Sequence, residues 1–309
     1  MRTANIQWSA LRDANDIDAM TAREESELRR PGDRAVYLAT VLVNLALFWM
    51  AIHLIEHGSA VLDAYPRLAK RAQEVRALAF ALLAAPPALV FLRHRRRADA
   101  LGSGVRVSAT QFPELYDTLV RFCNRLGHEE IPTLYLAEQA KGTSEAFGAW
   151  HHAFIVIRPV FLIVPLDEVR PIYEFQIGRE LGRIRLGYTR WWDELLVAYV
   201  VKLPLLRNPL LHARTLACDR YAAYLAPDSI RGLIVSASGR QLLKLVNVEE
   251  FVAQAEATRG VWPWLANLTR AEPHVTVRLR ALIDAGLYTP EDPAGRLKDS
   301  LPTPRRASA

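Results

Sequence analysis

Cysteine is almost missing from this chain: of its 309 residues only Cys123 and Cys218 are cysteines, far apart and in no metal-ligand spacing. That excludes a disulfide framework and suits a reducing compartment. The sequence also lacks a glycine-rich phosphate loop, a nucleophile elbow and a paired redox cysteine motif, so the usual signatures of nucleotide binding, serine hydrolysis and dithiol chemistry are missing. The N-terminus has no apolar core of the kind a secretory signal needs. Residues 1–34 interleave acids (Asp13, Asp16, Glu24, Glu25) with bases (Arg12, Arg23, Arg29, Arg30) and read as a cytosolic extension, partly helical, ending at Pro31-Gly32.

Charge and apolarity are unevenly spread over the rest. Hydrophobic residues make up 51% of the chain, and the net charge of +6 comes largely from arginines that flank apolar segments. Ala35 to Ile55 is a run of 21 residues with no charged side chain. At ~1.5 Å per helical residue it covers about 31 Å, the thickness of a bilayer core, and predicts a transmembrane helix over 35–55. Ala77 to Leu92 is a second uncharged run, interrupted by Pro86-Pro87. It reaches only about 24 Å, so a spanning helix over 77–92 requires Arg76 and Arg93 to snorkel; a buried soluble helix is the other reading. The cluster Arg93-His94-Arg95-Arg96-Arg97 that follows favours the span.

A hairpin over 35–97 puts both of its ends on one side. Its outer flanks carry Arg29, Arg30, Arg34, Arg93, Arg95, Arg96 and Arg97, and its loop carries Arg67, Lys70, Arg71 and Arg76. The excess outside the loop places both ends, and the domain that follows, in the cytoplasm of a plasma or inner membrane. An arginine run also suits nucleic acid. Its position beside a membrane segment makes topology the better explanation, so the lipid bilayer is an expected partner and nucleic acid is not.

From about Arg106 the pattern becomes that of a folded domain, 106–287. Gln111 to Leu126 has helical spacing, with Leu115, Leu119, Phe122 and Cys123 on one face. Thr133–Leu136 and Ala153–Ile157 read as short strands; Phe161–Val164 is either a strand or a helix start. Asp167 ahead of Pro171 signals a helix from about Glu168 to Leu186, stopped by Gly187. Leu195–Leu211 is apolar but broken by Lys202, Pro204, Arg207 and Pro209, and fits either a segment lying near the bilayer surface or a buried helix. A further helical run carries Tyr221, Ala222 and Leu225. Residues 288–309, rich in proline and poor in apolar side chains, read as a disordered tail.

The predicted helix over 168–186 carries Arg179-Glu180-Leu181-Gly182-Arg183. With histidine in place of the two arginines this would be a zinc-protease helix. Residues four apart share one helical face, so two imidazoles can reach one zinc while the glutamate polarises a bound water. Guanidinium cannot replace them, because it has N–H donors only, no lone pair, and a permanent charge.

Four segments in order resemble the M48 metallopeptidase family, the membrane proteases of the HtpX and CAAX-prenyl protease type, over roughly residues 110–285. Gly142-Thr143-Ser144-Glu145-Ala146-Phe147-Gly148 matches the family's strand before the active site, and Arg179–Arg183 its HELGH. Arg214–Ala223 is similar to the segment supplying the third ligand, and Glu272-Pro273-His274 through Arg278-Leu279 matches its His-Pro region. The resemblance implies an α+β, mainly α, zincin-like domain preceded by a transmembrane helical hairpin, with zinc as cofactor. Residue by residue, however, the ligand positions fall on Arg179, Arg183 and Thr215, and two other cleft positions on Glu145 and Glu272. Glu180 keeps the general-base position and Asp219 a position supporting the ligands. With three ligands changed, no zinc site of the family's kind is expected, and a base without a metal-activated water has little to act on.

Removing a dication strands the carboxylates that surrounded it. An arginine–carboxylate network is therefore expected, in which Arg179 and Arg183 pair with Glu180, Asp219, Glu145 or Glu272; two arginines turned to solvent would be the plainer outcome. Among the histidines only His212, three residues before Thr215, has a position suited to a relocated ligand. Trp191-Trp192 and Trp262-Pro263-Trp264 suit either core packing or anchoring at a membrane interface. The resulting expectation is a membrane-anchored M48-like pseudopeptidase that binds a protein or peptide partner in the remodelled cleft or partners an active protease. The alternatives are an active metalloendopeptidase with relocated ligands and a membrane scaffold or assembly factor.

Overall fold

The computed structural model describes residues 19–57, 72–138, 144–149, 152–159, 162, 166–239, 245–257 and 260–288. The expectations for the loop cations Arg67, Lys70 and Arg71, for Gly142-Thr143, for most of Phe161–Val164 and for the tail beyond Tyr288 lie outside them.

The described chain is mainly helical around a small mixed sheet. Helix α1, Ala22–Leu28, opens with a capping box: the Thr21 hydroxyl accepts from the Glu24 amide, and the Glu24 carboxylate accepts from the Thr21 amide. Pro31 does not end this segment but begins the next, as first residue of α2, Pro31–Glu56. A proline there forfeits only an amide that has no helical acceptor. Helix α3, Ala72–Ser103, is longer than the uncharged run and continues through Pro86 and Pro87. Both helices are long and apolar enough to cross a membrane. They pack on each other, with Ala51 and Ala79 fully buried, the small residues that let two backbones approach.

Strand β1, Val105–Arg106, leads into α4, Pro113–Leu126, then β2, Thr133–Leu136, β3, Ser144–Ala149, and β4, His152–Ile157. The sheet order is β1-β2-β4-β3, with β2 and β4 parallel and the two outer pairings antiparallel. Alternation decides its faces. Leu134, Leu136, Ile155 and Ile157 point into the main core against Leu119 and Phe122 of α4, while Tyr135, Phe154 and Val156 form a small cluster on the reverse.

The central helix is α5, Arg170–Arg185, buried continuously from Ile172 to Gly182. It begins two residues later than the sequence suggests, after a 3₁₀ turn over Leu166–Val169, and without a side-chain cap. Gly187, at φ 77°, terminates it. Helix α6, Trp191–Leu196, and a 3₁₀ turn, Val200–Lys202, follow, then the long α7, Pro204–Leu225. Helices α5 and α7 form the most extensive packed pair. They cross where a Cβ on Gly178 would lie 2.9 Å from the Ala222 Cα, and one on Gly182 2.6 Å from the Tyr221 Cβ. Only glycine permits that approach.

The 195–211 segment is not one buried helix: it comprises the end of α6, a 3₁₀ turn and the start of α7. Val197 to Val200 and Leu210 are buried, whereas Leu203 and Leu206 are exposed. It is held to the first apolar helix: the Asn44 amide donates to the Leu195 carbonyl at 3.2 Å, and its oxygen accepts from the Tyr199 amide at 2.8 Å. Helices α8, Ile230–Ser238, α9, Val248–Ala257, α10, Val261–Leu268, and α11, Val275–Ile283, complete the described chain. Phe175, Leu233, Leu279 and Leu282 build a second core there, which Tyr288 joins.

Candidate functional site

The Arg179–Arg183 stretch lies near the centre of the described chain, where α5 faces α7, α8 and strand β3, with α11 beyond α7. Arg179 and Glu180 belong to the fully buried stretch of α5, and Arg183, one turn on, is partly buried. Asp219 comes from α7 and is completely enclosed, as is Glu180.

These side chains form a linked set of ion pairs. The strongest link joins α7 to α11: the Arg278 guanidinium donates through Nε to Asp219 Oδ2 and through Nη2 to Oδ1, both at 2.7 Å. This fork-to-fork geometry uses both carboxylate oxygens. Arg179 Nη2 donates to Glu272 Oε1 at 2.8 Å, and its Nε lies 3.7 Å from Asp219 Oδ1. Glu272 also lies 3.6 Å from Arg278 Nη1, which closes the circuit. Beside it, Arg183 Nε is 3.4 Å from Glu180 Oε2, and the Ser144 hydroxyl at the head of β3 donates to Glu180 Oε1 at 2.8 Å.

The electrostatics follow from this arrangement. Burial opposes the charge on Arg179, but Asp219, Glu272 and Glu180 outweigh it and hold the guanidinium above its ordinary pKa. Burial likewise opposes the charge on Arg183, which Glu180 restores. Glu272 meets the same contest: desolvation pushes its pKa up, but Arg179 and Arg278 together bring it below the usual carboxylate value. The Cys218 thiol, entirely buried beside Arg183, is pushed up to about 11 by burial and is therefore a neutral, unreactive thiol at physiological pH.

The remaining positions line a cavity of about 320 Å³ on the other side of Arg183. Glu145 of β3 and Thr215 of α7 meet Arg183 there, together with Leu89 and Leu92 of α3. A larger cavity, about 660 Å³, lies past the other end of β3 between His152, Ile184, Trp191 and Trp192. Between the two, the Gly148 amide of β3 donates to the Thr189 carbonyl at 3.2 Å, so the strand's outer edge is tied to the turn after α5.

The donor chemistry here does not fit zinc. Two of the positions are cations without lone pairs, Thr215 offers only a hydroxyl, and both oxygens of Asp219 are held by Arg278. His212 is engaged elsewhere: its Nε2 donates to the Arg270 carbonyl at 2.8 Å and its Nδ1 faces the Asn267 amide at 3.4 Å. Among the described residues no three His, Cys, Asp or Glu side chains converge as a metal-ligand group.

The structure thus gathers Arg179, Glu180 and Asp219 into one buried cluster, with Glu272 closing it from the exposed side, and Glu145, Arg183 and Thr215 around one cavity, with Arg183 common to both. Sequence reasoning missed the role of Arg278, which sits on α11, 59 residues from its partner. Its signal was an arginine on the apolar face between Val275 and Leu279 and Leu282. Ser144 was missed because a single strand hydroxyl carries no signal. Neither protein-family models, nor curated proteins, nor solved structures give a match for this chain.

Proposed function

We propose that this protein is a membrane-anchored, M48-like pseudopeptidase: a non-catalytic protein that binds a protein or peptide partner in the cleft along β3 and α5, or that partners an active protease. The observation that carries the reading is the position of Arg179, which lies buried against Asp219 and Glu272 where the resemblance requires a metal ligand. The chain's own cation neutralises the carboxylates there. Glu180, the retained base position, is capped by Ser144 and neighboured by Arg183, so it faces protein groups. The two cavities flanking β3 supply the binding space. In this reading the two apolar helices anchor the chain, and the arginine distribution orients the domain to the cytoplasm.

The deciding experiment is elemental mass spectrometry of the full chain, purified in detergent without chelators. Metal-free protein that unfolds cooperatively supports the reading. About one zinc per chain, lost together with a peptidase activity on chelation, would overturn it.

A further inference from the structure

A third cavity, about 190 Å³, lies where α2 begins, between that helix, the turn after α5 and the start of α6. Arg30, Arg34 and Arg190 line it, with Trp192 and Tyr37, and its acids are Asp33 and Asp193. Asp193 is taken by Arg214, which donates to it at 2.7 and 3.0 Å. Close to Arg30 and Asp33 stands Arg220, whose charge is disfavoured first by burial and then by Arg30, with Asp33 only partly restoring it. Its Nε finds no acceptor among the described residues. The neighbourhood holds more positive charge than its acids neutralise, which is what an anion would correct.

Position identifies the anion. Arg30 and Arg34 lie within five residues of Ala35, where the uncharged run begins. At ~1.5 Å per residue they stand within about 8 Å of the hydrocarbon edge, which is the headgroup layer. The fold brings Arg190 and Trp192 to the same level, the guanidinium 5.7 Å from the indole ring centre. A tryptophan at this depth suits a headgroup region. Below Arg34 on the same helical stripe come Leu38 and Leu42, exposed by 60% and 67%, an apolar track for an acyl chain.

We propose that this cavity binds the phosphate headgroup of an anionic membrane lipid, with Arg30, Arg34 and Arg190 as its ligands and the acyl chain along Leu38 and Leu42. The site is separate from the Arg179–Asp219 circuit. It rests on the membrane reading of α2 and not on the loss of peptidase chemistry.

The test is native mass spectrometry of the full chain released from detergent containing equal phosphatidylglycerol and phosphatidylcholine. The wild type retains phosphatidylglycerol preferentially, and each of Arg30→Gln, Arg34→Gln and Arg190→Gln lowers that preference about fivefold, the value of one cation near an anionic surface. Arg190→Lys, which keeps the charge, retains most of it. Equal retention of the two lipids, or an undiminished preference in the triple glutamine variant, would sink the proposal. Displacement of the lipid by millimolar-range inorganic phosphate alone would assign the site to a soluble anion and overturn the lipid assignment. Release of the chain from membranes by alkaline carbonate would overturn it as well, while leaving the metal-content result untouched.

Discussion

Asp219 shows how the centre of this protein tolerates charge. Fully enclosed, it keeps both oxygens on the Arg278 fork and has Arg179 at 3.7 Å. Removing one member of a buried pair leaves the other uncompensated, at a cost of about 3–5 kcal/mol. Arg278→Ala is therefore expected to lower stability by that amount in chemical denaturation, and Arg278→Lys to recover only part, since an ammonium cannot reproduce the fork. The proposed M48-like reading can be tested here too: Arg179→His, Arg183→His and Thr215→Glu together are expected to introduce zinc binding, read as metal content. His128 supplies a pH dependence. Burial, aided by Arg185, lowers its pKa from 6.5 to about 4. The unfolded chain binds a proton in that window that the folded chain does not. Stability is thus complete above about pH 6.5 and falls as pH drops toward 4. Thermal unfolding of His128→Gln should lose this component of the acid sensitivity.

Two element pairings determine where the site stands. Helices α5 and α7 approach through Gly178 and Gly182, and the added methyl of Gly182→Ala would meet the Tyr221 Cβ at 2.6 Å. That overpacking is expected to destabilise by about 1–3 kcal/mol in denaturant titration and to displace Glu180 from Ser144. Helix α2 is held to the domain by Asn44, which satisfies the Leu195 carbonyl and the Tyr199 amide. An amide at the middle of an apolar helix is costly unless its groups are bonded, and here the domain supplies both partners. The same two bonds fix the start of the segment that leads into α7, so the first apolar helix and the wall of the site are joined by one side chain.

In the assembled molecule the apolar helices and the folded domain share walls. Arg214 pairs with Asp193 and sits over the rings of Tyr37 on α2 and Tyr188 after α5, at 5.9 and 4.6 Å. Leu89 and Leu92 of α3 reach the cavity that contains Arg183. Deleting the two apolar helices would therefore remove part of the domain's packing. A cleft binder and a membrane scaffold are better separated by a substitution inside the cleft. Ile184→Trp, which fills the larger cavity beside β3, should weaken cross-linking of a peptide partner and leave membrane integration unchanged.

Much of this was legible along the chain. The helix over 113–126, the strands at 133–136 and 152–157 and the stop at Gly187 follow from periodicities and turn residues a few positions apart, which a sequence displays directly. So does the presence of two guanidinium groups, Arg179 and Arg183, one turn apart on one helix, since side-chain chemistry is fixed by residue identity. What the sequence could not rank were partners. Arg179 had four candidate carboxylates, and packing of α11 against α7 selected Asp219 and Glu272 and supplied Arg278 as the stronger clamp. Nor does the sequence show that Asn44, a polar residue within an uncharged run, meets Leu195 and Tyr199, more than 150 residues away. The sequence by itself determined the elements, the apolar runs and the cationic chemistry at Arg179 and Arg183, because those are local. The tertiary structure alone decided which buried charges neutralise one another, because that depends on which distant helices share a dehydrated space.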